Sequence, residues 1–137
     1  MMLRNTHVPD FVKSDGTVAK QAADGTGATL SVGTWFADLG PGVESSDRIG
    51  PHFIWDGVLV ASGVTFEGTG FFDATINAAS GASSGWDTEP AGASFAIAAV
   101  AGQNKQHWIE VMAHRVRAVV VVTTQGKLRL SVATKGG

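Results

Sequence analysis

The sequence contains neither cysteine nor tyrosine among its 137 residues. Without cysteine the chain can form no disulfide framework and no thiolate metal site, and this composition fits a protein made in a reducing compartment. Charged residues make up 16% of the chain, whereas about a quarter is usual. Two interpretations of the low charge stay open: a partner covers part of the surface, or the chain is simply rich in small uncharged residues.

The sequence also lacks the signals of export, membrane insertion and nucleic-acid binding. The N-terminal residues have no apolar signal-peptide core, and no apolar run is long enough to span a bilayer. The net charge of −2 provides no electrostatic footprint for nucleic acid. We therefore expect neither a membrane nor a nucleic acid among the partners.

No pattern of catalytic or metal-binding residues is present. The four histidines, His7, His52, His107 and His114, do not occur at a metal-ligand spacing. No serine lies in a G-x-S-x-G motif, and the Gly-x-Gly segments are not followed by a helix pattern, so they indicate turns. The sequence predicts a protein without enzymatic activity, metal or cofactor.

Two β-rich runs at residues 115–134 are the most informative feature that is present. They meet at Gly126, which predicts a hairpin with a loop over residues 124–126 and a left-handed Gly126. In this register one face is apolar: Val116, Ala118, Val120, Val122, Leu128, Leu130 and Val132. The opposite, solvent-facing or partner-facing side carries Arg115, Arg117, Thr123, Lys127, Arg129 and Ser131. A hairpin with one core face is typical of a β-sandwich.

Short β-prone segments recur along the chain, with turn signals about every ten residues. Hydrophobic residues make up 44% of the sequence, which is enough for one core. The sequence predicts an all-β protein: a single antiparallel, jelly-roll-like β-sandwich over residues 15–137, preceded by an N-terminal arm over residues 1–14. The arm contains Met2, Leu3, Val8 and Phe11, which we expect to contact a neighbouring subunit rather than to serve the fold.

Trp86 stands alone in the loop-like stretch of residues 77–94. A tryptophan among small residues usually folds back to cover an edge of the core, which is the favoured interpretation. The alternative is an exposed contact for a sugar or a protein. Trp86 therefore joins the four apolar arm residues as a candidate partner contact.

Three segments resemble small β-sandwich structural proteins of tailed-bacteriophage virions: residues 52–68, residues 86–90 and residues 115–135. The resemblance implies a non-enzymatic, multi-copy protein that is made in the host cytoplasm and located in the virion. It also implies that the chain is a homo-oligomer bound to major capsid, neck or tail subunits. Its role there would be decoration, stabilisation or attachment of further proteins.

An alternative function is a carbohydrate-binding module used in host adsorption, with a surface glycan as partner. This alternative requires Trp35 and Trp86 to be exposed on one face. The absence of tyrosine counts against it, because sugar-binding sandwiches also use the tyrosine hydroxyl. A small hydrolase would instead require two convergent carboxylates in a pocket.

Overall fold

The computed structural model describes residues 3–23, 25–39, 48–71, 73–77, 85–87, 94–99, 104–110 and 115–135. These residues form two antiparallel β-sheets packed face to face, and none of them is helical. The predicted all-β, antiparallel sandwich is therefore confirmed. The described part of the chain accordingly holds no helix long and apolar enough to cross a membrane.

Twelve strands make up the two sheets of the described residues. Sheet A contains β1 (Leu3–His7), β4 (Ala28–Leu30), β6 (Arg48–Trp55), β9 (Asn104–Gln106), β10 (Ile109–Glu110) and β12 (Gly126–Lys135). Sheet B contains β2 (Phe11–Val12), β3 (Val18–Ala19), β5 (Gly33–Asp38), β7 (Val60–Thr69), β8 (Ser94–Ile97) and β11 (Arg115–Thr124). Sheet A runs β1-β12-β6-β10, with β4 beside β12 and β9 beside β6, and sheet B runs β3-β2-β5-β11-β7-β8.

The core lies between the sheets and is filled by alternate side chains of facing strands. The inward residues of β11 and β12 are each no more than 2% exposed: Val116, Ala118, Val120, Val122, Leu128, Leu130 and Val132. The predicted apolar face of this segment is thus confirmed. Strand period alone was sufficient to identify it, since a shift of one residue would bury the opposite set.

The predicted hairpin is wrong, because β11 and β12 belong to different sheets. Strand β11 pairs with β5 and β7 in sheet B, whereas β12 pairs with β6 in sheet A. The chain crosses between the sheets at Gln125, so both strands direct alternate residues into the shared core. Gly126 is not among the glycines with a left-handed φ. It is required by a close approach instead, since a Cβ there would lie 2.5 Å from the Cα of Leu59.

The segment predicted as an arm contributes strands to both sheets. Strand β1 pairs with β12, and β2 pairs with β3 and β5. Phe11 is fully buried in the core, and the His7 ring donates from Nε2 to the backbone oxygen of Asp38 at 3.2 Å. The boundary between an arm of residues 1–14 and a sandwich of residues 15–137 therefore needs correction, because residues 3–12 are part of the sandwich. Removing β2 would uncover the core, so the expectation that the arm is dispensable for folding is withdrawn.

Candidate functional site

The five predicted partner contacts occupy different places. Val8 is 59% exposed between β1 and β2, and is available to a partner. Phe11 is fully buried and Trp86 is only 1% exposed, so neither is an exposed contact. Leu3 opens β1, while Met2 lies outside the described residues. Trp86 is buried, as the favoured interpretation requires, but it lies against Arg117 and is not part of the core cluster that it was expected to cover.

Trp86 covers a buried charge pair on the outer face of sheet B. The Arg117 guanidinium lies 4.3 Å from the Trp86 ring centroid and 4.6 Å from that of Phe36. Its Nε and Nη2 donate to Oε1 of Glu67 at 2.7 and 2.5 Å. Burial lowers the pKa of Arg117, and the two hydrogen bonds to Glu67 oppose that shift. The prediction that Arg117 lies on an open face is wrong, because its side chain is 0% exposed.

Arg117 and its neighbour Arg115 also hold residues 74–76 against sheet B. Arg117 Nη1 donates to the Ile76 backbone oxygen at 3.3 Å, and Arg115 Nη1 donates to that of Ala74. Trp86 Nε1 donates to the Thr75 oxygen at 3.3 Å. These bonds join residues 74–76 to Arg115, Arg117 and Trp86, so the Arg117 cluster acts as a structural clamp on that segment.

A strip of valines lies beside this clamp on the outer face of sheet B. Val18 is opposite Val12, Val12 is opposite Phe36, and Phe36 is opposite Val119. Val121 is the next residue of β11 after Val119 whose side chain points away from the core. Val18 is 50% exposed and Val121 is 36% exposed, while Val119 is only 6% exposed. We call Val12, Val18, Val119 and Val121 the valine strip; it is an apolar surface on a sheet face that would ordinarily be polar.

A second surface is the outer face of sheet A, where Trp108 lies across from Gly50. Strands β9 and β10 follow one register along β6, and its continuation places His107 opposite Pro51 and Trp108 opposite Gly50. Contact with the indole is close, because a Cβ on Gly50 would lie 2.6 Å from Trp108 Cζ3. Aromatic cover of a strand glycine is a known stabilising pair. The indole is nevertheless 42% exposed.

Polar side chains follow this indole along the same side of the sheet. His52 is opposite Gln106 on one side and Ser131 on the other, and Ile54 is likewise between Asn104 and Arg129. His52 Nε2 lies 3.0 Å from Asn104 Oδ1, which fixes both side chains on the same face. We call the following set the Trp108 face: His52, Ile54, Asn104, Gln106, Trp108, Arg129 and Ser131.

A cavity of about 300 Å³ adjoins the Trp108 face. It is lined by Val8, Gln21, Ala22, Ala23, Gly25, Arg129, Leu130 and Ser131. Strands β1 and β4 both pair with β12 but leave Leu130 between them unpaired by either. The Gln21 amide occupies this gap: its Oε1 accepts from Leu130 N at 2.9 Å and its Nε2 donates to Leu130 O at 2.8 Å. The Gln21 side chain thus makes the two backbone hydrogen bonds to Leu130 that a residue of a neighbouring strand would otherwise make, at the floor of the cavity.

The histidines and acids of the described residues form no cluster of three or more potential metal ligands. His107 points into the core, with its ring 5.2 Å from that of Phe95 and 5.5 Å from that of Phe66. Burial lowers the pKa of His107, and nearby Lys105 adds to the shift. His114 lies outside the described residues.

The carboxylate of Asp56 stabilises the turn between β6 and β7. Burial raises the pKa of its carboxyl, but backbone N–H donors of Leu59, Lys127 and Val58 outweigh that effect and hold the pKa below its ordinary value. The bonds measure 2.9, 3.1 and 3.1 Å. The carboxylate therefore joins the β6–β7 turn to the start of β12, and its oxygens are already occupied.

No protein-family profile, curated protein or solved structure matches the chain. The two surfaces therefore have to be interpreted from their own residues. The Trp108 face was not among the partner contacts predicted from the sequence. The signal that could have revealed it is Gly50-Pro51 within a β-prone segment, which indicates an interrupted ladder and an uncovered glycine.

Proposed function

We propose that the chain is a non-enzymatic structural component of a phage-like virion. It would bind in many copies to repeated sites on the capsid, neck or tail, and would either stabilise the particle or attach further proteins. The valine strip is the observation that carries this proposal. The resemblance of residues 52–68, 86–90 and 115–135 to virion β-sandwich proteins adds support, as does the low charge of the chain.

The physical basis is the exposure of β-branched side chains on a regular sheet face. Val121, next to the almost buried Val119, is 36% exposed, and Val18, at the other end of the strip, is 50% exposed. Covering such side chains gains about 25 cal/mol per Å² of apolar area, from which the loss of translational and rotational freedom must be subtracted. A strip of this size gives a weak single contact. Repetition around a symmetric shell or tail makes such a contact effective through multivalency.

The carbohydrate alternative is wrong in the form that relied on Trp35 and Trp86. Trp35 is 2% exposed and Trp86 is 1% exposed, and they lie on opposite sides of sheet B. Neither indole can stack on a sugar ring. The structural role is therefore the function that we propose for the molecule as a whole.

Mass spectrometry of gradient-purified particles from the source of this sequence tests the proposal. We expect peptides of this protein at a copy number comparable with a shell or tail subunit. The double variant Val18→Ser with Val121→Ser should fold but should be depleted from particles. Val58→Ser is the matched control, because Val58 is 57% exposed in a turn away from the strip. Absence of the protein from particles, or equal incorporation of both variants, would contradict the proposal.

A further inference from the structure

We propose that the Trp108 face is a binding site for an acidic oligosaccharide. In this site the Trp108 indole stacks on a sugar ring and Arg129 binds a carboxylate further along the same chain. This activity is separate from docking through the valine strip, which lies on the other sheet. It also involves different residues from Trp35 and Trp86.

Trp108 has the position of a stacking platform. Its indole is 42% exposed, and the residue lies between β9 and β10, in register with Gly50 of β6. Gly50 beneath it provides the necessary recess, since a Cβ there would lie 2.6 to 2.8 Å from three atoms of the six-membered ring. The indole therefore cannot sink further, and it is held at a fixed height over the sheet. A sugar ring has an apolar C–H face that packs against such an indole while its hydroxyls remain at the rim.

The neighbouring side chains suit hydroxyl groups. Asn104 and Gln106 are both exposed, and each carries an amide that can donate and accept. Ser131 and His52 are half-buried in the adjacent row, and His52 is oriented by Asn104 at 3.0 Å. Sugar hydroxyls likewise donate and accept. Between the indole and Arg129, this side of the sheet therefore offers amide, hydroxyl and imidazole groups, which favours a sugar over a purely apolar ligand.

Charge at one end of the face selects an acidic ligand. Arg129 is exposed opposite Ile54, and exposed Lys127 follows it on the same side of β12. Among the described residues no carboxylate lies between Trp108 and Arg129 on this side of the sheet, whereas Glu110 lies on the far side of Trp108, opposite Arg48. Arginine binds a carboxylate through two parallel hydrogen bonds, which gives direction as well as attraction. The Arg129 guanidinium also borders the cavity of about 300 Å³, which has room for a substituent of the sugar.

The separation of the two anchors sets the ligand length. Trp108 and Arg129 are two strand spacings apart across the sheet and four residues apart along it, about 17 Å in total. A monosaccharide cannot reach both groups. The site therefore suits an oligosaccharide, with the indole and the guanidinium as its two fixed points.

Tryptophan fluorescence can test the site directly, because the other three indoles are shielded. Trp35, Trp55 and Trp86 are 2%, 8% and 1% exposed, so acrylamide should quench mainly Trp108. The acidic probes are oligogalacturonate and hyaluronan fragments, and dextran oligomers serve as neutral probes. We expect the acidic probes to protect the emission from quenching, whereas dextran oligomers should protect it about tenfold less well. No protection by any probe at about 1 mM would overturn the proposal.

Variants can distinguish the role of Trp108 in ligand binding from its role in packing over Gly50. Trp108→Leu keeps an apolar cover over the glycine but should weaken binding about tenfold in calorimetry, because the stacking surface is lost. Arg129→Gln should remove the preference for acidic over neutral probes. Arg48→Gln is the matched control, since Arg48 is exposed at the other end of β6, opposite Glu110. If Trp108→Leu fails to fold, the double variant Asn104→Ala with Gln106→Ala replaces it. Unchanged binding in the folded variant, or an equal effect of Arg48→Gln and Arg129→Gln, would refute the assignment.

Discussion

Replacing Arg117 by Met should be among the most destabilising single changes in this protein. The side chain is 0% exposed and its partner Glu67 is 8% exposed, so the change leaves a buried carboxylate without its counter-charge. Breaking a buried pair in this way costs about 3–5 kcal/mol. The change also removes the donor to the Ile76 oxygen, which is worth about 1 kcal/mol.

The double variant Arg117→Met with Glu67→Leu makes the expectation sharper. It removes both charges together, so the cost of a single uncompensated charge disappears. We expect it to be more stable than either single variant, with a coupling energy of about 2 kcal/mol or more. Equilibrium urea unfolding followed by tryptophan fluorescence measures all four corners of the cycle. Arg129→Met, at an exposed strand position, is the control and should change stability by less than about 0.5 kcal/mol. Additive losses in the cycle, or a loss below about 1 kcal/mol for Arg117→Met, would refute the reasoning.

Three further predictions concern other parts of the fold. Gln21→Ala should lower the free energy of unfolding by about 1–3 kcal/mol in urea titrations, because the backbone groups of Leu130 lose their partners. Gly126→Ala should lower the melting temperature, because the new methyl would lie 2.5 Å from Leu59 Cα. Burial lowers the pKa of His107 below its ordinary value of 6.5, so unfolding takes up a proton in mildly acidic solution. The free energy of unfolding should therefore fall between about pH 7.5 and pH 5.5, and His107→Phe should flatten that dependence in urea titrations at both pH values.

Matched controls accompany these predictions. Gln125→Ala changes an exposed residue between β11 and β12 and should be neutral. Gly63→Ala adds a methyl in a strand where no atom lies within 4 Å, so its melting temperature should not fall. If Gln125→Ala lost as much stability as Gln21→Ala, the hydrogen bonds of Gln21 to Leu130 would have no special role. If Gly63→Ala lowered the melting temperature as much as Gly126→Ala, the same would hold for the close approach of Gly126 to Leu59. An unchanged pH dependence in His107→Phe would assign the acid sensitivity to other groups.

The fold class and the inward faces of the last two strands could be predicted from the sequence. Strand period decides which side chains face the core, so the alternation from Val116 to Val132 was sufficient. The same pattern cannot distinguish a hairpin from a crossing between two sheets, since both place the same residues inward. Gly126 was consistent with either, and only the approach of Leu59 shows why a glycine is required.

The candidate surfaces were harder to predict, because exposure depends on segments that are distant in sequence. Arg117 alternates with core valines and was expected at an open surface. Trp86 and Phe36 cover it, and Glu67 pairs with it from 50 residues away. Trp108, in contrast, is partly exposed. It packs over Gly50, which lies on another strand, and the sequence around Trp108 does not show this contact. Phe11 was expected outside the sandwich. Its burial depends on pairing of β2 with β3 and β5, and this pairing cannot be read from the sequence around Phe11.

The crossing from β11 to β12 also constrains the order in which the protein can fold. Strand β11 lies between β5 and β7, and β12 lies between β1 and β6. Each sheet thus receives a central strand from residues 115–135, which a ribosome synthesises after all the strands that flank them. Until then β5, β6 and β7 have open edges, and such edges pair readily with other chains. Neither sheet can therefore be completed before residues 115–135 have been synthesised, and until then the edges of β5, β6 and β7 are open to aggregation.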